Sequence, residues 1–524
     1  MQAARARPAQ NLFAPPPKTL HPYRVTNNSI PAQQGDNTMR KNGLTYTKMG
    51  LAVLFGYLLL GDFCLQMMEM LIPSIMPLQM GAAGAPDIVK SIMLISMVSL
   101  FNLTLNPLVS FTSDNVRTAW GRRRPFLLIA TPFVSLALVA IAYAPEIAAF
   151  WKTTGWRIHW LEGIMSNDPS MGTLMVVLAL CIVFFQLFHY IMAPVFFYLF
   201  VDVVPDAHMG RFVALFRVVA TFSAFLFSTY IYPHAMSHTK EIYVGISLLY
   251  GVGLMVMSLG VREGSYAPPS HDLRNPPLEQ VKAYARECYS RRHYLLFYLR
   301  NTFLTISEMA DIFLVFYFTK AISVTLHDIG RVVGYTQLII LVVLYPIGML
   351  MDKYKPTRVM FWLMVFCLPL PLLCFLFVQD RPSFLVWGFL YCLLRPLMAN
   401  LALALYASIP PQERYGQFGS ANQMFISVIV IPVSVLLGML MDTITVGGTR
   451  PEMYRWCYVW NFAFYSAALF FMWLLYRSWK HYGGDNYVPP PVGLDAVKPV
   501  PVEAVDFPSL EEERDERLEM PTRE

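Results

Sequence analysis

Charge is what this sequence has least of. Only 14% of its 524 residues are Asp, Glu, Lys or Arg, where a soluble domain carries about 25%. That shortage excludes a chain surfaced for water throughout. The net charge of +6 is small for the length and, as shown below, follows sidedness, so it calls for no nucleic-acid partner. The seven cysteines form no CxxC and no Cys/His cluster. They read as small buried hydrophobes rather than disulfides or metal ligands, and no metal or bound cofactor is expected. HExxH, a nucleotide-binding Gly-rich loop and a Ser/His/Asp arrangement are all missing, which counts against an enzyme. Residues 1–45 hold arginines and a PPP run but no apolar core of a secretory signal. They read as a disordered N-terminus, within which Met39 offers an alternative start.

What the chain has in excess is apolar length. Hydrophobic residues make up 56%, with 37 Phe and 30 Met, more than one soluble core of this size would hold. A membrane-spanning helix needs about 20 apolar residues. Twelve stretches qualify, near 50–75, 88–111, 125–144, 172–201, 212–233, 242–261, 294–318, 329–351, 359–378, 384–407, 421–441 and 459–476. Spanning strands would need only about 10 residues each and would alternate, so the fold class expected is all-α and integral to the membrane. The organisation expected is an N-terminal six-helix bundle over 46–261, a central loop over 262–293, a C-terminal bundle over 294–477, and a Pro-rich then acidic disordered tail over 478–524. Within the central loop, Leu278, Val281, Ala285, Cys288 and Tyr289 recur at helical spacing and predict an amphipathic helix on the membrane surface. Trp151, Trp156 and Trp160 in the loop 145–171 suit the interfacial depth that indoles prefer.

Placing both termini in the cytoplasm puts about twice as many Lys and Arg on the inner side as on the outer, the direction the positive-inside rule requires. The densest inner cluster is the loop 113–126, SDNVRTAWGRRRPF, with Asp114, Arg117, Arg122, Arg123 and Arg124.

The two halves repeat. Segment 2 ends in Ser113–Asp114 and arginines; segment 8 ends in Gly348, Asp352, Lys353, Lys355 and Arg358. Pro205, Gly210 and Phe212 after segment 4 match Pro411, Gly416 and Phe418 after segment 10, each 206 positions on. Four matched loop ends predict a duplicated six-helix unit around a shared site.

Twelve spans in two halves, with an acid–basic loop after segments 2 and 8, resemble the major facilitator superfamily over roughly residues 45–480. The superfamily usually has Gly four residues before the loop Asp; this chain has Ser110 there and keeps Gly348 in the second copy. Ser113-Asp114, six residues, then Gly121-Arg122-Arg123-Arg124-Pro125-Phe126, with a looser likeness at Leu65-Gln66, resemble the sucrose/proton symporters of the glycoside–pentoside–hexuronide:cation symporter group. The resemblance implies a gating role for Asp114, Arg122, Arg123 and Arg124, with Asp114 pairing with basic residues and a helix N-terminus to lock the cytoplasmic side. It implies the same for Asp352, Lys353 and Arg358. It also implies that segments 1, 4, 7 and 10 line a central cavity.

Those four segments carry the polar residues at depth, where a charge costs roughly 3 kcal/mol or more. Segment 1 has Asp62, Gln66 and Glu69 on one face. Segment 7 has Asn301, Thr305, Glu308 and Asp311 in one stripe. Segment 4 offers Gln186, His189 and Tyr190; segment 10 offers Tyr391, Arg395 and Asn400. The acids Asp62, Glu69, Glu308 and Asp311 are the candidates for proton or cation coupling. Glu308 or Asp311 has a competing role as a fixed ion pair with Arg395. Asp62 and Glu69 have no obvious arginine partner in their half, Arg217 lying near the end of segment 5. Gln66, Gln186, His189, Tyr190, Asn301, Thr305, Tyr391, Arg395 and Asn400 are the candidates for substrate contact, though a lone helical His is more often a packed hydrogen-bonder. Phe188, Tyr190, Trp387 and Tyr391 could stack on a sugar's apolar face.

The function expected is a monomeric cell-membrane carrier with a small-molecule substrate, a sugar or glycoside moved with a proton or sodium as coupling ion. The alternatives are the same scaffold moving a drug-like amphiphile, a nucleoside or a peptide, and, more remotely, a non-transporting sensor or a membrane enzyme.

Overall fold

A computed structural model describes residues 39–42, 44–116, 118, 120–154, 158–264, 284–411 and 414–490 of the chain. Twelve helices among them are long and apolar enough to cross a membrane. The first six are α1 (Lys48–Ala82), α2 (Asp87–Ser110), α3 (Arg124–Ala142), α4 (Gly172–Val203), α5 (Ala207–His234) and α6 (Thr239–Gly260). The second six are α7 (Arg292–Ala321), α8 (Leu326–Tyr354), α9 (Pro356–Phe377), α10 (Arg381–Ser408), α11 (Tyr415–Thr445) and α12 (Pro451–His481).

Helix is the form these segments must take, because lipid offers no partner for a free backbone amide. The same physics lets proline sit inside them. Pro73 and Pro77 lie within α1, and Pro107, Pro132, Pro194, Pro346, Pro396 and Pro432 within other spans. In water such residues end helices. Here α1 runs on to Ala82, past the 75 expected from sequence.

The packing repeats every six helices. In the first half α1 packs on α5 and α6, α3 on α4 and α6, and α2 on α4. In the second, α7 packs on α11 and α12, α9 on α10 and α12, and α8 on α10. The halves meet through α2 with α11 and, as the equivalent pair, α5 with α8. Small residues let these backbones approach. A Cβ at Gly438 of α11 would stand 2.5 Å from the Ile88 Cα, and one at Gly330 of α8 would collide with the Ser228 carbonyl.

An even number of spans puts both described chain ends on one face, called here the termini face. Two strands, β1 (Met39–Lys41) and β2 (Leu44–Tyr46), pair antiparallel there, and Asn42 donates to the Asp202 carbonyl at 2.8 Å. Residues 39–41 and 44–46 thus pair as strands, which corrects the expectation of disorder up to 45. At the other end α12 continues to His481 and the chain stays packed to Pro490, whose carbonyl accepts from the Tyr294 hydroxyl at 3.0 Å. The tail was expected to begin at 478; the aromatic side chains of Trp479 and Tyr487 keep these residues docked.

Of the predicted surface helix, Leu278 and Val281 lie outside the described residues; 284–289 are helical. Tyr284 and Tyr289 tie that turn to the start of α11, bonding Ser420 at 2.7 Å and the Ala421 carbonyl at 2.8 Å. The loop before α4 holds two short helices, Ala144–Thr153 and His159–Met165. Trp160 is exposed on the second, and Trp156 lies outside the described residues.

Candidate functional site

Four helices bring the predicted polar residues toward the middle of the molecule. On the first-half side lies a cavity of about 260 Å³. Glu69 of α1 and Gln186, His189 and Tyr190 of α4 supply its polar lining, and Met68, Ile72, Pro73, Leu94, Val98, Phe185 and Ile312 the apolar part. Ile312 comes from α7, so the void is shared between halves. Glu69 has no hydrogen-bond or ion-pair partner among the described residues. His189 lies flat on Phe185, ring centroids 5.4 Å apart, and its Nδ1 has no partner. Among the described residues the Tyr190 hydroxyl is reached only by the Asn102 amide, at 3.4 Å.

Asp62 lies two turns before Glu69. It is fully buried, and neither carboxylate oxygen meets a donor. It does not line the cavity; the charged groups near enough to act on it are Glu69 and Arg217. Gln66, between the two acids, is half-buried.

The second half is arranged in the opposite manner. Helix α7 is interrupted: one helical piece ends at Glu308 and the next begins at Asp311. The carboxylate of Asp311 therefore sits at a helix start, and four groups converge on or around it. Arg395 Nη2 lies 3.2 Å from one oxygen. The Tyr391 hydroxyl and Asn461 Nδ2 both donate to the other at 2.7 Å. Arg395 Nη1 also donates to Ser307 at 3.1 Å, and Ser307 donates to the Asn461 carbonyl at 3.1 Å. Of the two acids that could pair with Arg395, the geometry selects Asp311. Glu308 is half-buried without a hydrogen bond or ion pair among the described residues. Asn301 bonds Asn422 at 3.0 Å. Thr305 and Asn400 turn back on carbonyls of their own helices, away from any role the structure assigns in the cavity. Trp387 stacks on Phe377, and Phe188 on Phe133.

One residue that sequence reasoning passed over is Arg300. It is wholly buried about two turns into α7, with Nη1 on Asn301 Oδ1 at 2.7 Å and no carboxylate partner among the described residues. Asn461 and Ser307 were missed as well. Only the fold shows that α12 faces Asp311.

The two faces of the molecule differ. Away from the termini the halves are sealed. The Asp442 carboxylate of α11 accepts from the Asp87 and Ile88 amides at the start of α2, at 2.6 and 2.9 Å. The Asp87 carboxylate in turn holds Lys90 at 2.6 Å and accepts from the Tyr454 hydroxyl at 2.8 Å. Ser91 donates to the Ser434 carbonyl at 2.5 Å. On the termini face, the hydrogen bonds and ion pairs among the described residues stay within one half. Arg122 and Arg123 grip Asp202 at 2.6 and 3.2 Å. The amides of Arg122, Arg123 and Arg124, at the start of α3, converge on Glu263 at 2.7–3.2 Å. The Asp114 side chain lies outside the described residues. The start of α3 is thus filled by Glu263, an acid of the segment that follows α6. Among the described residues Asp352 has no ion-pair partner, so its expected pairing is not seen there. Lys353 lies over the Tyr354 ring and Arg358 reaches Asp485 at 3.1 Å, leaving Asp352 exposed.

Comparison with known families and structures follows this geometry. The family model described as Major Facilitator Superfamily matches residues 58–433. A variant of the nucleoside transporter NupG has 12% identity and a TM-score of 0.59, over 81% of this chain and 100% of its own. A bacterial homologue of the human lysosomal transporter Spinster, inward-facing and unoccupied, has 12% identity and a TM-score of 0.58, over 82% and 97%. A D-xylose–proton symporter has 12% identity and a TM-score of 0.53, over 81% and 96%. No curated protein sequence matches. At such identity these likenesses speak for the fold alone.

Proposed function

The chain belongs to the major facilitator superfamily of multi-pass membrane transporters, and on that footing we propose that it carries a sugar or glycoside together with a cation, first of all a proton, by alternating access. The observation that supports this reading is the pair of acids on α1. Glu69 lines the shared cavity and Asp62 is fully buried two turns earlier on the same helix, neither with an ion-pair partner among the described residues. A membrane carboxylate with no fixed partner is costly unless a proton or another cation joins it, so these are places to hold a coupling ion. Asp311 has the opposite character: it is fixed to Arg395 and accepts from Tyr391 and Asn461.

The cavity's four polar side chains can hydrogen-bond hydroxyls, and Tyr190 and Phe185 present ring faces. Resemblance of the 113–126 loop to sucrose/proton symporters supports the sugar assignment. Seven of the eleven lining residues are apolar. That favours, as a second reading, an amphiphilic solute, of which a glycoside with an apolar aglycone is the intermediate case.

We take the termini face as cytoplasmic, the side that basic loops favour, and the membrane as a cell membrane. On that orientation the sealed face is external, and the state described is closed toward the outside. An inward proton then contributes about 2.3 kcal/mol per 100 mV, enough for roughly fiftyfold accumulation.

The test is uptake into vesicles containing the purified protein, with labelled monosaccharides, disaccharides and aryl glycosides. A pH gradient, acid outside, should increase accumulation of at least one of them. If neither a proton nor a sodium gradient alters the uptake of any sugar or glycoside, this reading is wrong.

A further inference from the structure

A second cavity, of about 460 Å³, lies far from the α1 acids, where the start of α7 meets the end of α12 on the termini face. Ligand pockets commonly measure about 300–1,000 Å³, so it can hold more than an ion. Arg292, His293, Arg477, Ser478, His481 and Tyr482 supply its polar wall, over a floor of two leucines. No acid lines it.

Its cations are available. Neither Arg292 nor Arg477 has a carboxylate partner among the described residues; the Arg477 guanidinium rests on the Trp473 ring, 5.0 Å from its centroid. Asp485, on the turn that follows, is already held by Arg358. The first turn of α7 adds to the positive field, since its N-cap residue Arg291 makes no side-chain cap to the helix amides.

Its wall is built rather than incidental. His293 is 2% exposed and held at both ring nitrogens. The Tyr487 hydroxyl gives its proton to the Ile409 carbonyl at 2.8 Å, so at 3.0 Å it accepts from His293 Nε2. In the neutral ring Nδ1 is then the acceptor, and Ser478 donates to it at 2.8 Å. The backbone that carries Arg292 and Arg477 is thereby pinned from both sides.

Depth identifies the ligand. Trp473, Tyr476 and Tyr482 stand at this end of α12 with their side chains at least partly exposed, as aromatics do at headgroup level. Basic pockets between spanning helices at that level suit phosphorylated headgroups.

We propose that this pocket binds the headgroup of an anionic phospholipid, its phosphate lying between the guanidinium groups of Arg292 and Arg477. The proposal is independent of the cargo. Occupancy would clamp the α7–α12 seam at the face where the halves part.

The test uses the full chain in neutral detergent. Short-chain phosphatidylinositol 4-phosphate, short-chain phosphatidylcholine and inorganic phosphate are titrated separately, with thermal stability and native mass spectrometry as readouts. The phosphoinositide should bind and raise the unfolding temperature; phosphatidylcholine should not. The double substitution Arg292→Gln/Arg477→Gln should weaken binding about 25-fold, roughly fivefold for each arginine. The Lys/Lys version should retain most of it. If the Gln pair does not fold, a photoactivatable phosphoinositide on the unaltered protein decides, with cross-links expected in 292–296 and 474–482. Equal binding of phosphatidylcholine, undiminished binding by the Gln pair, or cross-links elsewhere would overturn the proposal. Inorganic phosphate binding as tightly as the lipid would overturn the lipid as its source.

Discussion

Asp442→Asn should open the sealed face. In the structure both Asp442 oxygens are used, one on the Asp87 amide at 2.6 Å and the other on the Ile88 amide at 2.9 Å, and these amides belong to the opposite half. Hydrogen bonds to a charged group are worth about 1.5–3 kcal/mol each, and an anion at a helix N-terminus adds about 0.3–1. Asparagine keeps one carbonyl oxygen as an acceptor, but it loses the charge and sets an NH₂ against an amide. The sealed state should therefore lose about 2–3 kcal/mol, a roughly 30- to 150-fold change in the equilibrium. If that state is held at about 99:1, the variant comes near parity, well short of the ~5.5 kcal/mol that full inversion needs. Spin labels at positions 160 and 446, exposed on opposite halves near this face, read the change as a second, longer distance population. Tyr454→Phe removes only a neutral donor to Asp87 and should give a smaller version of the same shift. An unchanged distance distribution in Asp442→Asn would mean that this contact does not hold the face closed.

Other expectations follow from the same geometry. Gly438→Val, whose Cβ would stand 2.5 Å from the Ile88 Cα, should favour the opposite state still more strongly, read by the same label pair. Arg395→Ala leaves the partly exposed Asp311 without its cation and should destabilise the second half by about 1–3 kcal/mol, seen as a fall in thermal stability; Arg395→Met with Asp311→Asn should recover part of it. Glu263→Gln withdraws a charge from three amides at the start of α3 and should cost about 1–2 kcal/mol, measurable in the same assay. Glu69→Gln and Asp62→Asn should leave counterflow exchange intact while abolishing gradient-driven accumulation; normal accumulation in either removes that acid from the mechanism.

Much of the fold was legible because membrane physics writes itself into sequence. Twelve apolar runs, the basic loops and the 206-residue offset of Pro205, Gly210 and Phe212 each follow from a one-dimensional rule. The exceptions have physical causes. The span expected over 50–75 was too short, because Pro73 and Pro77 do not end the helix: in lipid its amides have nowhere else to go, so α1 runs on to Ala82. The break in α7 after Glu308 carries neither Gly nor Pro to announce it. The site was half legible. Glu69, Gln186, His189 and Tyr190 share a cavity because helical spacing had already put them on facing stripes. The choice of Asp311 over Glu308 for Arg395 depended on Asn461 and Tyr391 closing around it, which is tertiary information. The Asp87–Asp442 contact joins residues 355 positions apart, and no local pattern signals it. Glu263 occupying the start of α3 likewise depends on how the chain leaves α6.

The most direct measurement is proton movement itself. Vesicles containing the protein, in weakly buffered medium, are given a transported glycoside while external pH is recorded. Alkalinisation of the medium on addition, lost in Glu69→Gln and Asp62→Asn, is the expected result. Glycoside entry with no pH change, or a pH change of equal size in both variants, would contradict the assignment of the α1 acids as carriers of the coupling proton.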